Sequence, residues 1–162
     1  MSFDRDGLVR ALADGPVVRV VLAETRGSAP RGAGTAMLVT ADGQDGTIGG
    51  GTLEFEATHR ARRMLAAGVA WEVWRLPLGP ALGQCCGGAV TVLAELFQTA
   101  PDIADFPLAR PVTAAAGPMP PAVARARAAA KGPVLVAGWL VEPLRQTGAP
   151  VWIWGAGHVG RA

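Results

Sequence analysis

The chain is poor in most of the residues on which protein chemistry usually rests. In 162 residues it has no tyrosine, two histidines and two cysteines. The cysteines, Cys85 and Cys86, are adjacent, so they build no disulfide framework, and a bond between neighbours would be strained. They are not spaced as C-x-x-C, and they fall short of the four ligands of a structural zinc site, with His59 and His158 the only histidines. There is no G-x-S-x-G elbow and no H-E-x-x-H pair. Asp and Glu pairs fall only on expected surfaces, and His59 reads as a solvated helical side chain rather than a ligand.

Charge and long apolar runs are also scarce. Charged residues make up 17% of the chain, the net charge is +2, and no basic run is present. Nucleic acid and membrane surfaces are therefore not expected partners. No segment approaches the roughly 20 consecutive apolar residues that span a bilayer. The opening MSFDRDGLVR carries Asp4 and Asp6 and no apolar signal core. Together these predict a reduced, cytoplasmic protein.

What is abundant is apolar residues, at half of the chain, together with 22 glycines and 13 prolines. That composition predicts a real core interrupted by many loops, and loops commonly carry function. Residues 4–14 read as a short helix, and 17–24 (VVRVVLAE) as a strand buried on both faces. A glycine-rich loop, 25–34, leads to a strand at 35–40, which turns at 41–46 and returns through Thr47 and Ile48. Glycines 49–51 open a helix running to 68, with Leu53, Ala57, Ala61 and Leu65 on one line. Strands are expected at 70–78, 89–97 and 132–143, with a helix at 122–131. The five tryptophans flank strands and read as core or interface residues.

The expected architecture is α/β: a mixed sheet with flanking helices, followed by the first strand of an incomplete Rossmann-like domain. Its parts are an N-terminal domain at 1–97, a proline-rich linker and short helix at 98–131, and the start of the Rossmann-like domain at 132–162.

Three loops carry the candidate chemistry. Gly49, Gly50 and Gly51 open onto a helix N-terminus, where free N–H groups and the dipole favour an anion such as phosphate. Arg26 and Arg31 would reach the same anion if the two glycine loops are neighbours. Against this, the glycines would simply make a turn and Thr52 would cap the helix, and Glu54 and Glu56 argue against an anionic guest. The second loop is LGQCCGG, 82–88, whose glycines favour access to the thiols. In an extended segment neighbouring side chains alternate, so one thiol would face a site and the other the core. The third is Gly155, Gly157 and Gly160, a G-x-G-x-x-G after the apolar strand 151–154. Its βαβ unit is missing because the chain stops at Ala162, so the expectation is a truncated protein. A fragment of an NAD(P)-dependent oxidoreductase is the reading based on this motif alone.

In their order GSAPRGAGTAMLV, GTIGGGTLE, LGQCCGGAVTVL and VWIWGAGHVG resemble the XdhC/CoxI family of xanthine dehydrogenase accessory proteins. The resemblance implies a non-enzymatic chaperone that binds molybdenum cofactor (molybdopterin), protects it and inserts it into xanthine dehydrogenase. It implies Cys86, with Cys85 assisting, as contacts to the cofactor's molybdenum or its sulfur, because the family's glycine-cysteine-glycine-glycine aligns with Cys86. It implies Gly49–Gly51, Arg26 and Arg31 as holders of the pterin phosphate. Thr52 stands where many relatives have a second cysteine, so that sulfur is unavailable. Implied partners are apo xanthine dehydrogenase, through its molybdenum-binding subunit, other cofactor maturation or sulfuration proteins, and a second copy in a homodimer. A scaffold that brings these proteins together without holding cofactor is the other alternative.

Overall fold

A computed structural model describes residues 2–79, 87–112 and 117–146. The first element is α1 (Arg5–Ala11), whose N-cap Asp4 accepts from the Gly7 amide, followed by a 3-10 turn at Leu12–Asp14. A five-stranded sheet follows, in the order β3-β2-β1-β5-β4, from β1 (Val17–Arg26), β2 (Ala36–Val39), β3 (Gln44–Gly46), β4 (Trp71–Pro77) and β5 (Ala89–Phe97). Between β3 and β4 lies α2 (Gly51–Ala67), which ends at Gly68 in the left-handed conformation. A second sheet, β6-β8-β7, is built from β6 (Leu108–Pro111), β7 (Val134–Val136) and β8 (Trp139–Glu142), with α3 (Pro121–Ala129) between β6 and β7.

Alternation along β1 explains the layering. Val18, Val20 and Leu22 point one way and pack with Leu53, Ala57, Ala61 and Met64 of α2. Val21 and Ala23 point the other way, with Leu93 of β5, toward Leu140 of the second sheet. The strand is buried on both faces because it lies between a helix and a sheet. That fits its nearly continuous apolar run, although all pairings between named strands are antiparallel. Parallel contacts occur only as isolated bridges, Phe3 with Leu144 and Ser28 with Gly87.

The α/β arrangement of sheets with flanking helices is as the sequence suggests, with several corrections. The returning strand is Gln44–Gly46, not Thr47 and Ile48, because Ile48 turns inward to the core under α2. Within 98–131, β6 is a strand of the second sheet, and a 3-10 turn spans Ile103–Asp105. The proline-rich composition hid a strand that tertiary pairing holds. The stretch 132–143 is a hairpin of two strands that turns at Ala137 and Gly138, both at positive φ. These strands pack on the first sheet, so residues 134–142 do not begin a separate parallel sheet. The strand expected at 151–154 lies outside the described residues. No described helix is long and apolar enough to cross a membrane.

Charged residues are buried between the sheets, contrary to the expectation that acids stay on surfaces. Arg19 of β1 makes two hydrogen bonds to the fully buried Glu142 of β8, at 3.0 and 2.8 Å. Arg110 of β6 also pairs with Glu142, and with Glu95 of β5 at 2.7 Å. The Phe3 ring lies under this group, its centroid 4.3 Å from the Arg19 guanidinium. Burial pushes the Glu142 carboxyl up, but the two arginines outweigh it and hold it below the ordinary carboxylate range. At Glu95 burial dominates over Arg110 and Arg19, and its pKa is raised.

Candidate functional site

Topology gathers the glycine-rich connections at one end of the first sheet. β1 runs toward this end and finishes at Arg26, opposite Ala89 where β5 begins. β2 starts there at Ala36, opposite Val21, and β3 returns to it at Gly46. β4 finishes there at Pro77, also opposite Ala89. The loops 27–35 and 47–50, residues 78–79 and 87–88, and the N-terminus of α2 therefore share one end. Antiparallel pairing alone brings together segments that are far apart in sequence.

The loops also touch. Gly49, at φ +130°, lies so close to Pro30 that an added Cβ would sit 2.6 Å from the proline Cγ, with the Arg31 side chain next nearest. Gly88 packs onto the backbone of Arg26 and Ser28, and a Cβ there would overlap both carbonyl oxygens. The segment containing the cysteines is tied at both ends. Leu78 N–H donates to the Gly88 carbonyl, and Gly87 N–H to the Leu78 carbonyl, each at 2.7 Å. Gly87 in turn bridges Ser28. Cys85 and Cys86 themselves lie outside the described residues, as do Gly155, Gly157 and Gly160. The chain on both sides of the cysteines starts from the same place as Arg26.

The N-terminus of α2 already holds an anion, and it comes from the protein. The Glu54 carboxylate accepts from the Ile48 and Gly50 amides, each at 3.1 Å, from Gln44 Nε2 at 2.8 Å and from Thr47 Oγ1. Partial burial pushes its pKa up, but these hydrogen bonds outweigh it and leave the carboxyl below its usual value. The Gly49 amide donates to Thr47 Oγ1 at 3.1 Å. The N-cap is Gly50, with no side-chain cap, so Thr52 does not cap the helix. Two of the three glycine amides expected to meet a phosphate are thus engaged, and the sequence signal for it was Glu54 three residues beyond the triplet.

The arginines stay open. Arg26 is exposed and Arg31 is exposed, the former with its Nε 3.0 Å from Glu24 Oε1. Thr91 donates to the other Glu24 oxygen at 3.3 Å. A cavity of about 1000 Å³ lies elsewhere, against β2 and β3 with Asp4, Arg19, Asp45, Lys131 and Arg145 in its wall. None of Arg26, Arg31 or Gly49–Gly51 lines it. Among the described residues, no cluster of three His, Cys, Asp or Glu side chains could hold a metal ion.

Residues 11–73 match the sequence profile of the XdhC and CoxI family. Over that stretch the chain is similar to the XdhC and CoxI family. The match runs from the end of α1 into β4, so it contains both contacting loops, 25–34 and 49–51, and stops short of the cysteines. The fold is similar to the crystal structure of a xanthine dehydrogenase from Bacillus halodurans, at 28% identity and a TM-score of 0.51. That similarity covers 58% of this chain, which spans 30% of the length of that structure. No curated protein matches the chain.

In this chain the structure brings Arg31 next to Gly49 and places Arg26 beside the closing glycines of the cysteine segment. His59 is exposed on α2, as the sequence suggested. Of the tryptophans, Trp74 is buried in the core while Trp71 is partly exposed. Sequence reasoning missed Glu54 as a structural anion and the Glu24–Thr91 pair under Arg26. The alternation of β1 could have flagged Glu24, since it is the charged end of an apolar strand.

Proposed function

We propose that this chain is a maturation factor for xanthine dehydrogenase that holds molybdenum cofactor as cargo and delivers it to the apo-enzyme's molybdenum-binding subunit. It binds and releases its cargo without turning over a substrate. Similarity of residues 11–73 to the XdhC and CoxI family supports the maturation role, and the geometry supports the site. The observation that carries the reading is that the loops 27–35 and 47–50 and the residues flanking the cysteine segment lie at one sheet end, with Arg26 and Arg31 exposed beside them. A cargo with a phosphate at one end and a sulfur-bound metal at the other needs guanidinium groups and a soft ligand within one mouth.

In this reading Arg31 and Arg26 hold the phosphate, since Glu54 already fills the amides of Ile48 and Gly50. The glycine triplet serves close approach of the loops rather than direct phosphate binding. Cys86 contacts the molybdenum or its sulfur, and Cys85 assists or packs inward.

The test is molybdenum and pterin content per chain after gel filtration with purified molybdenum cofactor. Wild type retains both, and Cys86→Ala and Arg31→Ala each lose most of the molybdenum while staying folded by circular dichroism. Wild type that retains neither pterin nor metal, yet still binds apo xanthine dehydrogenase, would replace this reading by the scaffold one.

A further inference from the structure

We infer that Arg75 of β4 is a further binding residue of the cargo site, joining Arg26 in a two-guanidinium clamp on the cargo's phosphate monoester, and that Glu24 positions Arg26 for it. This rests on the carrier reading above and brings a second strand into the site.

Strand register makes the clamp. Between Leu22 and Glu24 the pairing of β1 with β5 shifts by one residue, as at a β-bulge. Leu22, opposite Val92, packs under α2. In a regular strand Glu24 would follow it onto that face. The extra residue instead sets Glu24 opposite Thr91, whose hydroxyl donates to Glu24 Oε2 at 3.3 Å. Thr91 is two residues from Leu93, which packs on the side of the second sheet. The end of β1 is thus turned over. Arg26 goes with it, its Nε donating to Glu24 Oε1 at 3.0 Å.

Arg75 reaches the same face from the other side of β5. It stands opposite Thr91, and Val73, two residues earlier, packs with Leu93, whereas Trp74 and Leu76 pack under α2. Glu24, Thr91 and Arg75 therefore form one row across three strands, and Arg26, Ala89 and Pro77 form the next. The two arginines stand diagonally across β5, their Cα atoms about 12 Å apart by strand spacing and rise. Two extended arginine side chains close that gap on one phosphate. Both are exposed.

Among the described residues Arg75 enters no ion pair. Glu24 takes only the Nε of Arg26, so the outer fork of that guanidinium has no acceptor among them. Both Glu24 oxygens are engaged, one by Arg26 and one by Thr91. The face therefore offers two guanidinium groups against one carboxylate that already has its partners. Leu78 and Gly87, beside the Pro77–Ala89 pair, are the roots of the cysteine segment, which sets the clamp next to it. β4 is also an edge of the first sheet, where a charge keeps other strands away. Edge protection works with either sign of charge, whereas a phosphate grip needs a cation.

The experiment measures retention of purified molybdenum cofactor by the full chain after gel filtration, and calorimetric affinity for phenyl phosphate and inorganic phosphate. Arg75→Gln and Arg75→Glu each weaken cofactor and phenyl phosphate binding at least tenfold with an unchanged thermal midpoint, and Arg75→Lys recovers part of the loss. Glu24→Ala weakens both on the order of threefold, the size of an exposed ion pair, and this effect vanishes in an Arg26→Gln background. Its sign is diagnostic, because removing a negative charge beside a phosphate tightens binding unless that charge holds Arg26 in place. Arg62→Gln, at an exposed position on α2, changes none of these. Arg75→Glu that retains cofactor like wild type makes Arg75 an edge guard and overturns the clamp, with the carrier reading intact. Glu24→Ala that tightens binding or leaves it unchanged overturns the positioning role. Inorganic phosphate bound as tightly as phenyl phosphate, and equally by Arg75→Gln, also overturns the clamp. Wild type that retains no cofactor yet binds phenyl phosphate through Arg75 overturns the carrier reading and upholds the clamp for another phosphate monoester. Wild type that binds neither overturns both.

Discussion

Two regions of this protein are built from arginine, glutamate and their hydrogen bonds, and they have opposite consequences. Between the sheets, Arg19, Arg110, Glu95 and Glu142 are nearly closed to solvent and pair with one another. At the end of the first sheet, Glu54 closes the amides of its own loop while Arg26 and Arg31 stay in water. Buried, the charged group has no alternative partner, so it behaves as a pin between layers. Exposed beside flexible-shaped glycines, the same residue types remain available for a ligand. Burial, rather than residue type, separates the structural pair from the candidate site.

The strongest test of this contrast removes one partner from the pin. Glu142→Ala leaves two guanidinium groups facing an empty buried position, and should lower stability by about 3–5 kcal/mol in chemical denaturation. Replacing a pair together, with Arg19→Met and Glu142→Leu, should recover much of that loss, because no unpaired charge remains on that side. The pin also sets a pH dependence. Glu142 protonates near 4.5 when unfolded but only at lower pH when folded, so its contribution is intact above 4.5 and is lost as pH falls below it. Glu95 acts in the opposite sense: its raised folded value makes its contribution greatest below 4.5 and lost as pH rises through that value. Stability measured against pH in a Glu95→Gln background should therefore show a clean acid-side loss, and a flat profile there would contradict the role assigned to Glu142.

The next effect lies at the loop end. Gly88→Ala forces a methyl group against the carbonyls of Arg26 and Ser28, and is expected to cost about 1–3 kcal/mol, read from the thermal midpoint. Because Gly88 closes the segment bearing Cys85 and Cys86, molybdenum retention should fall together with stability. Unchanged retention would separate the cysteine segment from the loop contact.

A smaller change follows at Glu54. Glu54→Ala releases the Ile48 and Gly50 amides, and is expected to cost on the order of 1 kcal/mol, comparable to losing a helix cap. It should also make inorganic phosphate bind more tightly by isothermal titration, since the internal anion is gone. Smallest of all is Arg60→Ala, which removes two half-exposed ion pairs and is expected to change stability by less than about 1 kcal/mol. A larger loss would point to the stacking of Arg60 over Trp74, centred 5.0 Å away, as the dominant interaction.

Much of the layering was legible because apolar periodicity is local. The line Leu53, Ala57 and Ala61 identified the buried face of α2, and the nearly continuous apolar run at 17–24 identified a strand covered on both sides. Glycine and proline marked the loops, and the triplet at 49–51 marked the start of α2. What was illegible depends on distant pairing. β6 is short and follows a proline-rich stretch, so nothing local distinguishes it from a linker; β8 makes it a strand. Arg19 stands out as a charge inside an apolar strand, but its partner is 123 residues away at Glu142. That the Gly50 amide donates to Glu54 and the Gly49 amide to Thr47 was equally illegible, because it depends on how the loop folds back on itself.

The sequence by itself determined which segments have an apolar face, where the chain turns, and which residue types are available for chemistry, since these follow from side-chain volume, polarity and backbone freedom residue by residue. Tertiary structure alone decided that the loops 27–35 and 47–50 meet the flanks of the cysteine segment at one sheet end, that Glu54 accepts from the amides there, and that four charges are hidden between the sheets. The physical reason is that hydrogen bonds and ion pairs act over a few ångströms of space, and the distances between their partners exist only after antiparallel strands have brought remote parts of the chain together.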